Sequence, residues 1–135
     1  MHPNVRLLET FLDAYSAGDV PGMRNCLADD AVWHVGGTHR LSGDYRGDHA
    51  ILEYFQRVGE ETGGTLRLER LELIANAERG AAFLRVIGDR GDQSLDVTMA
   101  EAFHFDDRGR IKEFWAHATD QDAINRFWGE EDANG

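Results

Sequence analysis

Apolar positions in the first half of the chain recur every three or four residues, which is the spacing of amphipathic helices. A first helix is predicted by one apolar face, which consists of Val5, Leu8, Phe11, Leu12 and Tyr15. It ends at Gly18, and a second helix is capped by Asp19 and stops at Asp29 and Asp30. After a short strand at residues 31–35, a third helix capped by Asp48 carries an apolar face of Ile51, Leu52, Phe55 and Val58.

The second half of the chain has apolar segments typical of strands, which short turn sequences separate. Strands are predicted at residues 65–75, 81–88, 94–105 and 110–119, followed by a helix at residues 120–129. Because the connections between these strands are short, we expect antiparallel pairing. The pattern predicts an α+β fold, in which N-terminal helices cover one face of a curved, mostly antiparallel sheet and a short helix follows at the C-terminus.

One carboxylate interrupts an otherwise apolar strand face. Alternate residues from 95 to 105 should share a face, and these are Leu95, Val97, Met99, Glu101, Phe103 and Phe105. Glu101 should therefore point into the core, where an ionised carboxylate is costly and a raised pKa suits proton transfer near neutral pH. Two alternatives remain open: a bulge turns Glu101 outward, or Glu101 pairs with a buried Arg85 on the neighbouring strand.

Several strands carry apolar residues on both faces. Residues 81–87 are largely apolar throughout, and residues 114–118 place Phe114 on one side and Trp115 on the other. The helices suffice to cover only one face of the sheet. The uncovered face predicts a homodimer formed through the outer side of the sheet.

Composition and charge narrow the possible functions. The 135 residues predict one domain at residues 1–130, with a flexible tail at residues 131–135. The 25 acidic residues outnumber the 14 basic ones, and the net charge of -11 argues against nucleic-acid and membrane partners. Neither a bilayer-spanning apolar run nor a secretory signal is evident, and the single Cys26 suits a reducing cytoplasm.

A series of short motifs runs through nearly the whole chain. In order, they are Gly18-Asp19, Leu27-Ala28-Asp29-Asp30-Ala31-Val32-Trp33, Leu41-Ser42-Gly43-x-Tyr45-x-Gly47-x-x-x-Ile51, Phe105-Asp106-x-x-Gly109-Arg110-Ile111, Asp120-Gln121-x-Ala123 and Phe127-Trp128. Together they resemble SnoaL-like proteins of the nuclear transport factor 2-like superfamily, which includes ketosteroid isomerases and polyketide cyclases. The resemblance implies a cone of curved sheet closed by helices around an internal pocket, usually in a dimer.

The same resemblance allows site residues to be carried over one at a time. It places Glu101 on the buried carboxylic acid of the isomerases' oxyanion hole, the residue that strand alternation also selects. The isomerases' general-base Asp corresponds to Val35, or to His34 if a bulge shifts the register. The cyclases' acid/base Asp corresponds to Ala116. Neither set of catalytic residues is complete in this chain.

The resemblance also implies which residues form the wall of the pocket. The isomerases' oxyanion-hole Tyr corresponds to Phe11, and Tyr15 lies one helical turn later, where it could supply a hydroxyl. The substrate-binding wall is expected to consist of Phe11, Trp33, Val35, Phe55, Leu84, Val86, Met99, Phe114 and Ala116. Because most of these are apolar, the expected ligand is a small apolar or aromatic molecule with a few polar atoms.

The six histidines are candidates for metal ligands or for bases. None has the spacing of a metal site, so no metal is expected, and no sequence fingerprint points to another cofactor. His104 and His117 alternate onto the outer sheet face. His34 is the histidine expected near the pocket mouth, where it is a candidate base.

These observations lead to two functional hypotheses. The first is an enzyme that uses proton transfer to isomerise, cyclise or dehydrate a small metabolite, with Glu101, His34 and Tyr15 as catalytic residues. The alternative is a non-catalytic ligand-binding or dimerisation module, in which Glu101 pairs with Arg85 or Tyr15.

Overall fold

The computed structural model describes residues 2–129 and shows four helices and six strands within them. The helices are α1 (Pro3–Ala17), α2 (Val20–Cys26), α3 (Asp48–Glu61) and α4 (Gln121–Trp128). The strands are β1 (Leu27–Val35), β2 (Gly43–Arg46), β3 (Arg67–Ala75), β4 (Arg79–Arg90), β5 (Gln93–Phe105) and β6 (Ile111–Ala118). The tail expected at residues 131–135 lies outside the described residues, and the single-domain assignment to residues 1–130 stays a prediction.

The six strands form one curved sheet in the order β2-β1-β6-β5-β4-β3. β1 and β6 run parallel, and the other neighbouring strands are antiparallel. The predicted α+β class, with its mostly antiparallel sheet and short C-terminal helix, is confirmed. The parallel pair joins the first and last strands of the chain, so it brings the N-terminal half against the C-terminal half.

Two boundaries near the start of the sheet differ from the sequence prediction. β1 begins at Leu27 rather than residue 31, because Leu27 already pairs with Ile111 of β6 before a bulge that ends at Val32. Between β1 and α3 lies the short strand β2, which the sequence analysis did not predict and in which Tyr45 lies opposite Trp33. The pairing of Leu27 with Ile111 joins residues far apart in the sequence, so local spacing does not indicate it.

The helices bury their apolar faces against the sheet. α1 starts with Pro3 and ends at Gly18, whose positive φ of 68° is a conformation that glycine adopts without strain. α3 is preceded by Gly47 rather than capped by Asp48. α1 contacts β3 and β4, α3 contacts β1 and β2, and α4 contacts β5 and β6. Within residues 2–129, no helix combines the length and apolarity needed to cross a membrane.

Cross-strand neighbours show which residues share a sheet face. Glu101 lies between Ala82 of β4 and Ala116 of β6, in a row that faces the helices. The next row, one residue along, places Ala102 beside Trp115, and Trp115 beside His34 of β1. We call the side that carries Glu101 the inner face and the side that carries Trp115 the outer face.

Candidate functional site

An internal cavity of about 110 Å³ lies between the inner face and helices α1, α3 and α4. Eight of the nine residues expected to bind substrate lie on its wall, namely Phe11, Trp33, Val35, Phe55, Val86, Met99, Phe114 and Ala116. The ninth, Leu84, does not line the cavity. It is 0% exposed and belongs to the buried hydrophobic core.

Aromatic rings form much of the cavity wall. The ring of Trp33 stacks on Phe114 with centroids 3.5 Å apart and planes inclined by 10°. Phe55 meets Trp33 edge-on at 5.1 Å, and Phe11 lies 5.6 Å from the same indole. Such a wall offers both ring faces and ring edges to a flat apolar molecule.

Glu101 brings a carboxyl group into this apolar cavity. β5 and β6 keep regular pairing up to His104, so no bulge turns Glu101 outward. Protein surrounds the carboxyl group, and the residue, which is half-buried as a whole, lines the cavity. Burial raises the pKa of Glu101 to about 8. Among residues 2–129, no hydrogen bond or ion pair to this carboxyl group is present, so it is mostly protonated at neutral pH.

Arg85, the alternative partner of Glu101, lies on the outer face. Its guanidinium group donates to both carboxylate oxygens of Asp96, at 2.8 and 2.7 Å, and approaches Glu69 at 3.5 Å. Phe83, two residues before it on the same face, is 38% exposed. The alternative in which Arg85 pairs with Glu101 is therefore wrong, because strand alternation separates the two groups across the sheet.

Two tyrosines complete the polar part of the cavity near Glu101. Tyr15 of α1 lines the cavity as expected, and Tyr54 of α3 lines it too. Burial raises the pKa of both phenols, and the nearby charge of Glu101 acts in the same direction. Tyr15 makes no hydrogen bond to Glu101 among the described contacts. Both hydroxyl groups therefore stay protonated at neutral pH and can donate to a ligand.

His34 points away from the cavity. Its Nδ1 lies 2.7 Å from Asp44 and its Nε2 lies 2.7 Å from Glu113, and its ring stacks on Trp115. Burial opposes the charged form, but the hydrogen bonds to Glu113 and Asp44 outweigh it and raise the pKa of His34. The expected place of His34 at the pocket mouth is wrong, because Trp33 and Val35 take the inward positions of β1.

Three polar residues of the cavity wall were not predicted from the sequence, namely Tyr54, His39 and Gln121. Tyr54 lies three residues after Ile51 and four before Val58, so the apolar spacing of α3 could have identified it. His39 lies in the connection between β1 and β2, and no periodic pattern marks it. Its place in the wall depends on how that connection folds back over the sheet.

The residues that the structure describes contain no cluster of three or more metal-ligating side chains. The chemical groups of the cavity are one carboxyl group, two phenols, one imidazole and the amide of Gln121, set in an apolar wall. Of these, Glu101 has a pKa of about 8, so it can donate or take up a proton near neutral pH.

Comparison with known proteins places these features in a wider group. A family model for the SnoaL-like domain matches residues 8–114. Bal32a, from a soil-derived mobile gene cassette, is 31% identical with a TM-score of 0.89, over 93% of this chain and 96% of that one.

Two more distant structures share the fold. A nuclear transport factor 2-like protein from Burkholderia pseudomallei is 21% identical, with a TM-score of 0.84 over 95% of this chain and 98% of that one. A candidate polyketide cyclase from Sinorhizobium meliloti is 21% identical, with a TM-score of 0.67 over 83% of this chain and 94% of that one.

Proposed function

The chain belongs to the SnoaL-like domain family, and from that premise we propose that it is an enzyme. It catalyses proton transfer on a small apolar or aromatic metabolite, by isomerisation, cyclisation or dehydration and without a cofactor. The observation that carries this proposal is the unpaired carboxyl group of Glu101 in an apolar cavity, with a pKa of about 8. A group that titrates near neutral pH can both donate and accept a proton in one catalytic cycle.

Glu101 has a defined role in each protonation state. As a neutral acid it donates to a carbonyl oxygen or to a departing hydroxyl group, and the phenols of Tyr15 and Tyr54 add further donors. As a carboxylate it removes a proton from carbon. The likeness of the fold to a candidate polyketide cyclase agrees with proton-transfer chemistry but carries no substrate across.

Two single-ring ketones test this activity, because both give the same conjugated cyclohexenone, which absorbs in the ultraviolet. From the unconjugated β,γ-cyclohexenone, a proton leaves the α-carbon and one returns at the γ-carbon. From β-hydroxycyclohexanone, the α-proton and the hydroxyl group leave as water. We expect Glu101→Gln to lower either rate by about 10²–10⁴-fold, the usual contribution of a general acid or base.

Glu113→Gln is the matched control for that experiment. Glu113 is also a strand glutamate, but it lies on the outer face and binds His34. This variant should keep both rates within about twofold of the unmodified protein. Equal activity in the Glu101→Gln variant and the unmodified protein would show that the reaction does not depend on the cavity carboxyl group.

The pH profile supplies a second test of the role of Glu101. If the acid form assists departure of the hydroxyl group, the dehydration rate falls as pH rises through about 8. If the carboxylate takes the α-proton, the isomerisation rate rises over the same range. Rates that show no inflection near that pH would contradict the assignment.

A non-catalytic ligand-binding module is the second candidate. One observation favours it: Val35 and Ala116, which correspond to the acidic residues of the isomerases and cyclases, are apolar parts of the wall. A second carboxylate is therefore absent from the cavity wall formed by residues 2–129. Binding of the conjugated cyclohexenone without turnover of either ketone would support this candidate over the enzyme.

We also propose that the protein works in the cytoplasm, where Cys26 stays reduced.

We propose further that two copies of the chain pair through the outer face. Phe83 on β4 is 38% exposed and Ile74 on β3 is 53% exposed. Ile74 lies in the same outer row as Ala81 and Trp115. Sedimentation should report a dimer that Phe83→Arg dissociates, and a monomeric unmodified protein at high concentration would contradict the pairing.

A further inference from the structure

His39 adds a polar residue to the cavity wall from a different part of the chain than Glu101. It is 1% exposed. It follows the end of β1, whereas Glu101 lies on β5, and β6 separates these two strands. Glu101 and His39 therefore contribute polar groups to the cavity from separate segments of the chain.

The loop that contains His39 holds its imidazole in one tautomer. The N–H of Leu41 donates to Nδ1 of His39 at 3.1 Å, so Nδ1 carries the lone pair and the proton is on Nε2. Burial lowers the pKa of His39, the nearby Gly36 carbonyl opposes this in part, and the charge of Arg40 lowers it further. The ring is therefore neutral at neutral pH, and Nε2–H is a donor of fixed orientation.

Ser42 links two backbone groups next to His39. Ser42 Oγ donates to the Gly36 carbonyl at 3.0 Å and accepts from the backbone N–H of His39 at 3.0 Å. Among residues 2–129, no acceptor forms a hydrogen bond with the buried Nε2. A buried N–H without a partner destabilises the protein, and an acceptor on a ligand removes that cost.

We propose that the Nε2–H of His39 binds a second oxygen atom of the ligand, so that the ligand is one six-membered ring with oxygen atoms at opposite ends. This inference rests on the proposed function, in which Glu101 binds the first oxygen. The cavity of about 110 Å³ is of the size that takes one ring, since an apolar cavity of about 150 Å³ binds benzene. The aromatic wall of Trp33 and Phe55 covers the body of such a ring.

Two phenols test this recognition in calorimetric titrations. Para-hydroxyacetophenone has an oxygen at each end of the ring, and para-ethylphenol has nearly the same shape with one oxygen. We expect the unmodified protein to bind para-hydroxyacetophenone about tenfold more tightly, the usual gain from one hydrogen bond to an otherwise unpaired buried donor. Equal affinity for the two phenols would overturn the proposal.

Two substitutions of His39 separate its two nitrogen atoms. His39→Asn places an oxygen where Nδ1 accepts from Leu41, but it lacks a donor at the position of Nε2. His39→Gln places an amide N–H near the position of Nε2 and lacks the loop acceptor. We expect the preference for para-hydroxyacetophenone to be lost in His39→Asn and kept in His39→Gln. The reverse result would overturn the role of Nε2.

One variant distinguishes failure of this inference from failure of the proposed function. Glu101→Leu should weaken both phenols by a similar factor and leave the preference intact. If Glu101→Leu leaves both affinities unchanged, the proposed role of Glu101 fails while the His39 preference can still hold. If neither phenol binds the unmodified protein at millimolar concentration, both proposals fail.

Nitrogen NMR of protein with isotopically labelled histidine tests the same contact in the unmodified chain, so the result does not depend on the folding of a variant. The Nε2 resonance of His39 should shift on addition of para-hydroxyacetophenone and much less with para-ethylphenol. Equal shifts with the two phenols would overturn the contact between Nε2 and the second oxygen.

Discussion

The two faces of the sheet differ in whether their ionisable side chains have charged partners. On the outer face, Arg85 binds Asp96, and His34 lies between Asp44 and Glu113. On the inner face, the carboxyl group of Glu101 stands without a charged partner among the described residues, and burial raises its pKa to about 8. Whether a strand glutamate has a charged partner therefore depends on which side of the sheet it faces.

The largest expected difference between the faces concerns two tryptophans on neighbouring strands. Trp33 is 4% exposed and stacks on Phe114, so Trp33→Ala should lower the free energy of unfolding by about 3–5 kcal/mol. Trp115 is half-buried on the outer face beside His34, and Trp115→Ala should cost about 1 kcal/mol in dilute protein. Denaturant unfolding of both variants measures the difference.

Protein concentration sharpens that test. If two copies pair through the outer face, the loss of unfolding free energy in Trp115→Ala should grow with protein concentration. The loss in Trp33→Ala should stay constant. Equal costs for the two variants at low concentration would mean that both faces are buried within one chain, which would break the comparison.

The second prediction concerns the pH dependence that Glu101 gives to folding. Its pKa is about 8 in the folded protein and near 4.5 when the chain is unfolded, so the folded state holds the extra proton between these values. Stability should therefore fall as pH rises from about 4.5 to about 8, by an amount on the order of a few kcal/mol. Unfolding curves across this range should show the decline, and Glu101→Leu should remove it.

Glu113→Gln is the control for that measurement, because Glu113 is a paired glutamate on the outer face. It should leave the decline between pH 4.5 and 8 in place. A decline of the same size in Glu101→Leu would show that groups other than Glu101 cause it.

The third prediction concerns His34, whose pKa is raised in the folded protein. Its contribution to stability is complete below the ordinary histidine pKa of 6.5 and is lost as pH rises through the folded value. Because His34 is partly exposed, we expect its contribution to be about 1 kcal/mol. The comparison of His34→Gln with the parent is made in the Glu101→Gln background, which removes the larger effect. If His34→Gln lowers the free energy of unfolding by the same amount in acidic and in alkaline buffer, the contribution of His34 does not depend on its charge.

The smallest expected effect is that of Arg85→Met. Arg85 is exposed and bound to Asp96, so its removal should leave the pKa of Glu101 unchanged, as measured by carbon NMR of the labelled carboxyl group. A marked rise in that pKa would mean that Arg85 acts on the cavity through the sheet, and the separation of the two faces would be incomplete.

Much of the fold could be predicted because its signals are local. The strand alternation from Leu95 to Phe105 placed Glu101 on the inner face, and the motifs from Gly18 to Trp128 indicated the family that the match over residues 8–114 confirms. Strand and helix periods follow from the geometry of one chain segment, so they can be read without knowledge of its neighbours.

The composition of the site depended on contacts between distant segments. The parallel pairing of β1 with β6 puts Trp33 against Phe114, and the same register turns His34 outward onto Trp115. The connection after β1 folds back so that His39 enters the wall. Neither arrangement leaves a local period in the sequence.

The sequence by itself determined that a carboxyl group would face an apolar interior, because side-chain direction along a strand alternates with a period of two. The tertiary structure decided what meets that group. It paired Arg85 with Asp96 and His34 with Asp44 and Glu113 on the outer face, and it placed His39 in the cavity wall. The physical reason is that sheet order and loop path arise from pairing and packing between remote residues, whereas the direction of a side chain arises within its own strand.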